Sequence, residues 1–236
     1  MINEYFDESE IGVFIGGPEV GAAFSELPFD HLMYTGSTSI AKHVMRAASE
    51  NLVPVTLELG GKSPQIVFPD ADIDLAVNGI AGGIFPAGGQ SCISGSRLLI
   101  HRSVIKEFTD KLVKIVSKAC VGPPNDPNTQ IGPMANEPHY QRVLKLITEA
   151  VNAGHNIVLD GRSECRDEGY YIGPTVFSNV PNNSKLAQTE IFGPVVSTEA
   201  WDDNDDIIHK ANDTIYGLAA GIWTKMYARQ CAPLTI

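Results

Sequence analysis

Residues 31–61 read HLMYTGSTSIAKHVMRAASENLVPVTLELGG, and the punctuation of this stretch decides the fold class. The apolar run His31 to Tyr34 stops at Thr35-Gly36-Ser37, the pattern of a buried strand feeding a glycine turn. Ile40, Ala41, Val44, Met45 and Ala48 then fall on one helical face, with Ser37 or Thr38 available as N-cap. Val53 to Leu59 resumes as a strand and ends in Gly60-Gly61. Upstream, Ile11 to Ile15 is another apolar run, closed by Gly16-Gly17-Pro18, and reads as a further strand. Strand, helix, strand, helix, strand implies parallel pairing through right-handed crossovers, with ligands gathering at the carboxyl ends of the strands. The expectation for this part is a mononucleotide-binding half-sheet.

A second series starts after Gly61. A strand is predicted around Gln65 to Phe68, then a helix opened by Asp70 or Asp72 with Ile73, Ala76, Val77, Ile80 and Ile84 on one face. A strand follows at Arg97 to Ile100. Two amphipathic helices come next, one carrying Val104, Phe108, Leu112, Ile115 and Val116, the other Tyr140, Val143, Leu144, Ile147 and Val151. The domain boundary is drawn at Gly61, giving 1–60 and 61–236.

Composition narrows the partners. With 43% hydrophobic and 19% charged residues, the chain is that of a folded globular protein. A formal charge of −11 argues against nucleic acid, which binds through Lys and Arg on phosphates. No apolar run approaches the ~20 residues of a membrane span and no signal peptide is evident, so a cytoplasmic location without membrane binding is expected. The cysteines at 92, 120, 165 and 231 show no metal-ligand spacing, so reduced thiols and no metal are expected. Cys120, assigned to the Val104 helix, reads as structural.

Three segments carry residue types suited to chemistry: Leu57 to Pro64, Phe85 to Cys92 and Glu190 to Val195. Glu58, between two leucines at a strand's end, reads either as a solvated turn residue or as a partly desolvated carboxylate tuned for proton transfer. Cys92 follows glycines and Gln90, a backbone that can approach a substrate closely and offer N–H groups to developing charge. It reads either as a small loop residue or as a thiolate nucleophile.

Together these segments resemble the aldehyde dehydrogenase superfamily. Leu57 to Pro64 is similar to its glutamate motif and Phe85 to Cys92 to its cysteine motif, with Glu58 and Cys92 34 positions apart. Gly16 to Gly21, Tyr34 to Thr38, Gly173 to Val176, Glu190 to Val195 and Ala211 to Trp223 resemble further family blocks in the expected order. The resemblance implies an α/β fold: the C-terminal half of a Rossmann-like coenzyme-binding domain over 1–60, then an α/β catalytic domain truncated at its C-terminus. It implies Cys92 as nucleophile, Glu58 as general base, and NAD or NADP as hydride acceptor. Gly36 and Ser37 would lie at the pyrophosphate, Gly21 at the adenosine end, Leu59 and Gly60 beside the nicotinamide, and Glu190 and Phe192 at its ribose and ring. An aldehyde is the implied small-molecule substrate, and a homodimer or homotetramer the implied assembly of the parent enzyme.

The chain departs from the family pattern at Ala41, at Pro86-Ala87-Gly88 and at Ser94, and it stops resembling the family over Gln230 to Ile236. Relatives are about twice as long. The resemblance therefore implies a fragment of impaired activity, lacking the asparagine of the oxyanion hole and the residues that meet the adenosine ribose. Two rivals are an acylating dehydrogenase that hands its thioester to coenzyme A, disfavoured by Glu58, and a non-catalytic protein of the same fold, disfavoured by Cys92, Glu58 and Glu190 together.

Overall fold

The computed structural model describes residues 2–7, 9–166, 168–203 and 205–226; Tyr227 to Arg229, the tail Gln230 to Ile236 and hence Cys231 lie outside the described residues. Two compact units, Met1–Gly60 and Gly61–Ile236, partition the chain.

In the first unit the order is α1 (Ile2–Tyr5), α2 (Pro18–Ser25), β1 (Leu32–Gly36), α3 (Thr38–Ser49) and β2 (Val55–Leu59). β1 and β2 pair in parallel, from Leu32 opposite Val55 to Gly36 opposite Leu59, with α3 as the crossover. Ser37 caps α3, its side chain accepting from the Ile40 N–H at 3.5 Å. The small core joins Leu32, Val44, Ala48 and Val53, with Phe24, Phe29 and Tyr34 packed against it. Ile40 and Met45 stand exposed, so the buried stripe of α3 is narrower than the apolar positions predict. Ile11 to Ile15 is not a strand, and Phe14 and Ile15 are largely exposed. An apolar run becomes a strand only where a neighbour completes its ladder, and among the described residues β1 pairs with β2 alone.

The second unit runs β3 (Pro64–Val67), α4 (Ile73–Ile84), β4 (Arg97–His101), α5 (Ile105–Val116), α6 (Glu137–Asn152), β5 (Asn156–Leu159), β6 (Thr175–Ser178), α7 (Lys185–Gln188), β7 (Val195–Trp201), α8 (Ile207–Asn212) and β8 (Gly221–Trp223). Its sheet has the order β5-β6-β7-β4-β3-β8, parallel throughout except between β5 and β6. This is the predicted α/β class. Alternate residues feed opposite faces. Val67, Leu98, Ile100, Val176 and Val196 pack on α4 and α5 through Ile80, Ile84, Phe108 and Leu112. On the other face Phe177 and Val195 meet Val143 and Ile147 of α6, while Ile66 and Leu99 meet Trp201 and Ala211. Central β4 is buried along its whole length, as a parallel strand covered on both faces must be.

Of the two candidate caps of α4, Asp72 is the one used, accepting from the Leu75 N–H at 3.0 Å. The Asp70 carboxylate instead accepts from the Thr224 hydroxyl at 2.8 and 2.9 Å, tying the far ends of β3 and β8 together. Asp72→Ala is therefore expected to cost about 1 kcal/mol, read as a lower urea midpoint with unchanged slope. Among the described residues no helix is long and apolar enough to cross a membrane.

Candidate active site

The segments that carry chemistry in the second unit precede strands rather than follow them. Gly61 to Ser63 leads into β3, Cys92 into β4, Glu190 to Pro194 into β7 and Gly217 to Ala220 into β8. β7, β4, β3 and β8 are parallel neighbours, so these lead-in segments converge on one rim of the sheet, at the amino ends. In the second unit these segments thus lie at the amino ends of the strands, unlike the carboxyl-end placement expected from the sequence for the first unit.

Cys92 sits exposed in a turn closed by the Ser94 N–H on the Ser91 carbonyl at 3.1 Å. Among the described residues nothing accepts the N–H of Cys92 or Ile93. Two glycines fix the loop. A side chain at Gly61 would lie 2.6 Å from the Cys92 carbonyl oxygen, and one at Gly89, where φ is +70°, 2.1 Å from the Gly193 carbonyl oxygen. Ala87 also adopts a left-handed φ of +54°, which costs a residue with a Cβ roughly 1–2 kcal/mol. Gln90 holds this bend: its amide donates to the Ala87 carbonyl at 2.9 Å and its oxygen accepts from the Ala135 N–H at 2.8 Å. The departure at Pro86-Ala87-Gly88 thus lies in a strained, internally braced turn.

Glu190 and Phe192 are brought to the same rim. One Glu190 oxygen, Oε1, accepts from the Gly61 N–H at 3.1 Å; the other accepts nothing among the described residues. Arg142 on α6 donates to the Glu190 and Ile191 carbonyls, both at 2.7 Å. His139 Nε2 lies 2.6 Å from the Phe192 carbonyl, and its ring stands edge-on to the Phe192 ring. Phe192 holds a φ of +58° with its ring partly exposed, a strained position clamped from α6.

In the first unit, Gly36 at the end of β1 is in register with Leu59 at the end of β2, so Gly36, Ser37, Leu59 and Gly60 gather at one carboxyl end. The Thr38 and Ser39 N–H groups have no acceptor among the described residues and open α3 beside Ser37. Free amides at a helix start suit a pyrophosphate, so these residues fit a dinucleotide. Gly21 lies within α2, where an added Cβ would meet no atom within 4 Å; no hydrogen bond links it to the Ser37 turn. Glu58 pairs opposite Thr35, and its side chain is exposed. The partial desolvation expected from Leu57 and Leu59 is absent, because strand side chains alternate and those two half-buried leucines face the other way.

Sequence reasoning missed Lys62, Ser63 and Arg97. Lys62 is 1% exposed, and its Nζ has no partner among the described residues. Burial holds the amine down at about 7, with Arg97 and Arg142 pushing the same way against Glu190. The Ser63 hydroxyl is likewise buried, without a partner among the described residues. Arg97 is also buried, and it satisfies carbonyls: Nε donates to Lys62 at 3.3 Å, Nη1 to Lys210 at 3.0 Å and to the Asn182 side chain at 2.8 Å, and Nη2 to Ala211 at 2.5 Å. The available signal was a cation at the mouth of two runs, Gly60-Gly61-Lys62-Ser63-Pro64 and Arg97 to Ile100, whose remaining side chains are small or apolar.

The thiols need one correction. Cys120 lies beyond the end of α5 and is exposed, and Cys165 is half-buried, so exposure does not single out Cys92. Selective chemistry would. Cys92 is expected to take iodoacetamide fastest of the described thiols, because its turn is exposed and leaves free N–H groups beside the attacking sulfur. Peptide mapping in which Cys120 labels first would remove that assignment.

The profile described as the aldehyde dehydrogenase family matches residues 5–232. A probable betaine aldehyde dehydrogenase of Schizosaccharomyces pombe is 40% identical over 216 residues, covering 91% of this chain and 43% of that protein. Retinal dehydrogenase 2 of Taeniopygia guttata is 42% identical, covering 88% and 40%. Among solved structures, an aldehyde dehydrogenase of Mycobacterium tuberculosis complexed with NAD+ superposes with a TM-score of 0.87 at 39% identity, covering 91% of this chain and 45% of that one. The chain spans a little under half the length of these relatives.

Proposed function

The chain belongs to the aldehyde dehydrogenase family, and from that premise we propose that its protein oxidises an aldehyde to a carboxylic acid with NAD or NADP, using Cys92 as nucleophile and Glu58 as base. The observation that carries the reading is the Cys92 turn: an exposed thiol with free flanking N–H groups, held against Gly61 on a rim that also carries Glu190. The Cys92 thiolate adds to the aldehyde carbonyl carbon, and the N–H groups of its turn stabilise the oxyanion of the thiohemiacetal. Bound dinucleotide supplies the hydride acceptor. Collapse of the oxyanion expels hydride from carbon and leaves a thioester on Cys92. Glu58 takes a proton from the water that attacks this thioester, releasing the acid and the thiol. In this proposal the free Glu190 oxygen accepts a ribose hydroxyl, and Gly36 and Ser37 receive the pyrophosphate.

We propose as well that the 236-residue chain by itself turns over more slowly than full-length relatives. Its first unit offers a two-stranded sheet, which is marginal support for a dinucleotide among the described residues. The test follows absorbance at the nicotinamide band with a simple aliphatic aldehyde, either nucleotide, and coenzyme A present or absent, on the chain and on a full-length relative carrying it. Aldehyde-dependent reduction without coenzyme A is the expected result for the full-length form. Reduction that needs coenzyme A would favour the acylating reading, and none in either form would favour a non-catalytic one.

A further inference from the structure

Three successive carbonyls on the strand-start rim, those of Glu190, Ile191 and Phe192, are taken up by two side chains of one helix. The Arg142 guanidinium donates to the first two, both at 2.7 Å, and His139 Nε2 donates to the third at 2.6 Å. His139 and Arg142 stand three positions apart near the start of α6, so both project from the same face of its first turns. That helix start is anchored in turn. Asn136 caps it by accepting from the His139 N–H at 3.0 Å, and the Ala135 N–H just before it donates to Gln90 of the Cys92 loop at 2.8 Å. The start of α6 is therefore tied to the loop of the thiol on one side and to 190–192 on the other.

The held segment is one that would otherwise move. Phe192 keeps a φ of +58°, a conformation that persists only where its surroundings impose it, and His139 meets it twice, at the carbonyl and edge-on at the ring with centroids 5.8 Å apart. Released, the backbone would relax to negative φ and swing the ring away. The Glu190 carboxylate has a single hydrogen bond among the described residues, from the Gly61 N–H, so its aim follows the backbone that Arg142 fixes. We propose that His139 and Arg142 are positioning residues of the reaction, which hold the Phe192 ring and the Glu190 carboxylate in the orientation that meets the nicotinamide and its ribose. The proposal rests on the reading above that Glu190 and Phe192 face the dinucleotide, and it adds what fixes them. Gln90 keeps the same frame in step with Cys92.

The test compares His139→Phe, which keeps a ring beside Phe192 but no donor, with His139→Gln, whose amide N–H can replace the Nε2–H. In the full-length form used for the activity assay, His139→Phe should raise the nucleotide KM by about tenfold, the size of one hydrogen bond, and leave the aldehyde KM unchanged. Its kcat should fall and gain a dependence on deuterium at the aldehyde carbon, because a misaligned hydride transfer then limits turnover. His139→Gln should recover most of both. Cys92 labelling by iodoacetamide, which a general loosening would alter, should stay at the parental rate. In the 236-residue chain, amide exchange of the 189–194 peptide should quicken in His139→Phe and Arg142→Gln but not in His139→Gln. An unchanged nucleotide KM, an equal rise in the aldehyde KM, no rescue by glutamine, or unchanged exchange would overturn the positioning role and leave the proposed reaction standing. A full-length parent that binds no NADH in a fluorescence titration, with 189–194 still protected, would instead overturn the reading of Glu190 and Phe192, and the positioning role with it.

Discussion

Cys92→Ala abolishes aldehyde-dependent reduction of the nucleotide, whereas Glu58→Gln leaves one rapid equivalent and then slows about 10²- to 10⁴-fold: this is the expected split if the two residues act in sequence. The assay uses a full-length family member in which this chain replaces the matching segment. Without the thiol no thiohemiacetal forms and no hydride is released. Without the carboxylate the thiol still adds and hydride still leaves, but water meets the thioester without a base. The acyl group should then appear as a mass increment on the Cys92 peptide, in a stoichiometry near one per chain. Steady turnover of Glu58→Gln at the parental rate, or an acyl adduct on Cys120 or Cys165, would end the proposed division of labour.

Lys62→Met should change how stability depends on pH. In the unfolded chain a lysine amine titrates at its ordinary 10.5; in the folded one burial brings it to about 7. Between those values the unfolded chain binds more protons, so stability rises with pH through the whole interval. The penalty is full below about 7 and vanishes above 10.5. The gap corresponds to an upper figure of roughly 5 kcal/mol. Methionine carries no such penalty, so Lys62→Met should be the more stable protein at pH 6, with the two converging as the pH approaches 10. Urea midpoints at four pH values, in buffer free of carboxylates, measure this. Parallel curves would mean that the amine is paired or solvated.

The class of fold was legible because its signals are local. Ser37 and Asp72, each among the cap candidates of its helix, do cap α3 and α4, and the Ile73, Ala76, Val77, Ile80 and Ile84 stripe of α4 faces the core with Leu75 left exposed. What failed depended on a partner elsewhere. Ile11 to Ile15 has a strand's residues and no neighbouring strand among the described residues. Glu58 was expected to lose water to Leu57 and Leu59, yet the alternation of β2 turns it from both. Asp70 and Asp72 were equal candidates in sequence until Thr224 claimed the first. Motif residues were found by their company, and Lys62 and Arg97 were passed over because a cation after a glycine pair or at a strand's start ordinarily reads as solvated. Their burial comes from segments far along the chain, Asn182 lying 85 positions and Lys210 113 positions after Arg97, which no window of sequence brings together.

Because the lead-in segments of β7, β4, β3 and β8 share one rim, the opposite rim of the same sheet lies a strand's length from Cys92 and Glu190. The exposed Arg102-Ser103 corner, where β4 ends, stands a five-residue strand, ~17 Å, from the start of that strand. A fluorophore or surface tether grafted there would report on the molecule without crowding its thiol. The rim at the strand starts offers no such freedom, since a side chain added at Gly61 or Gly89 would run into the Cys92 or Gly193 carbonyl oxygen.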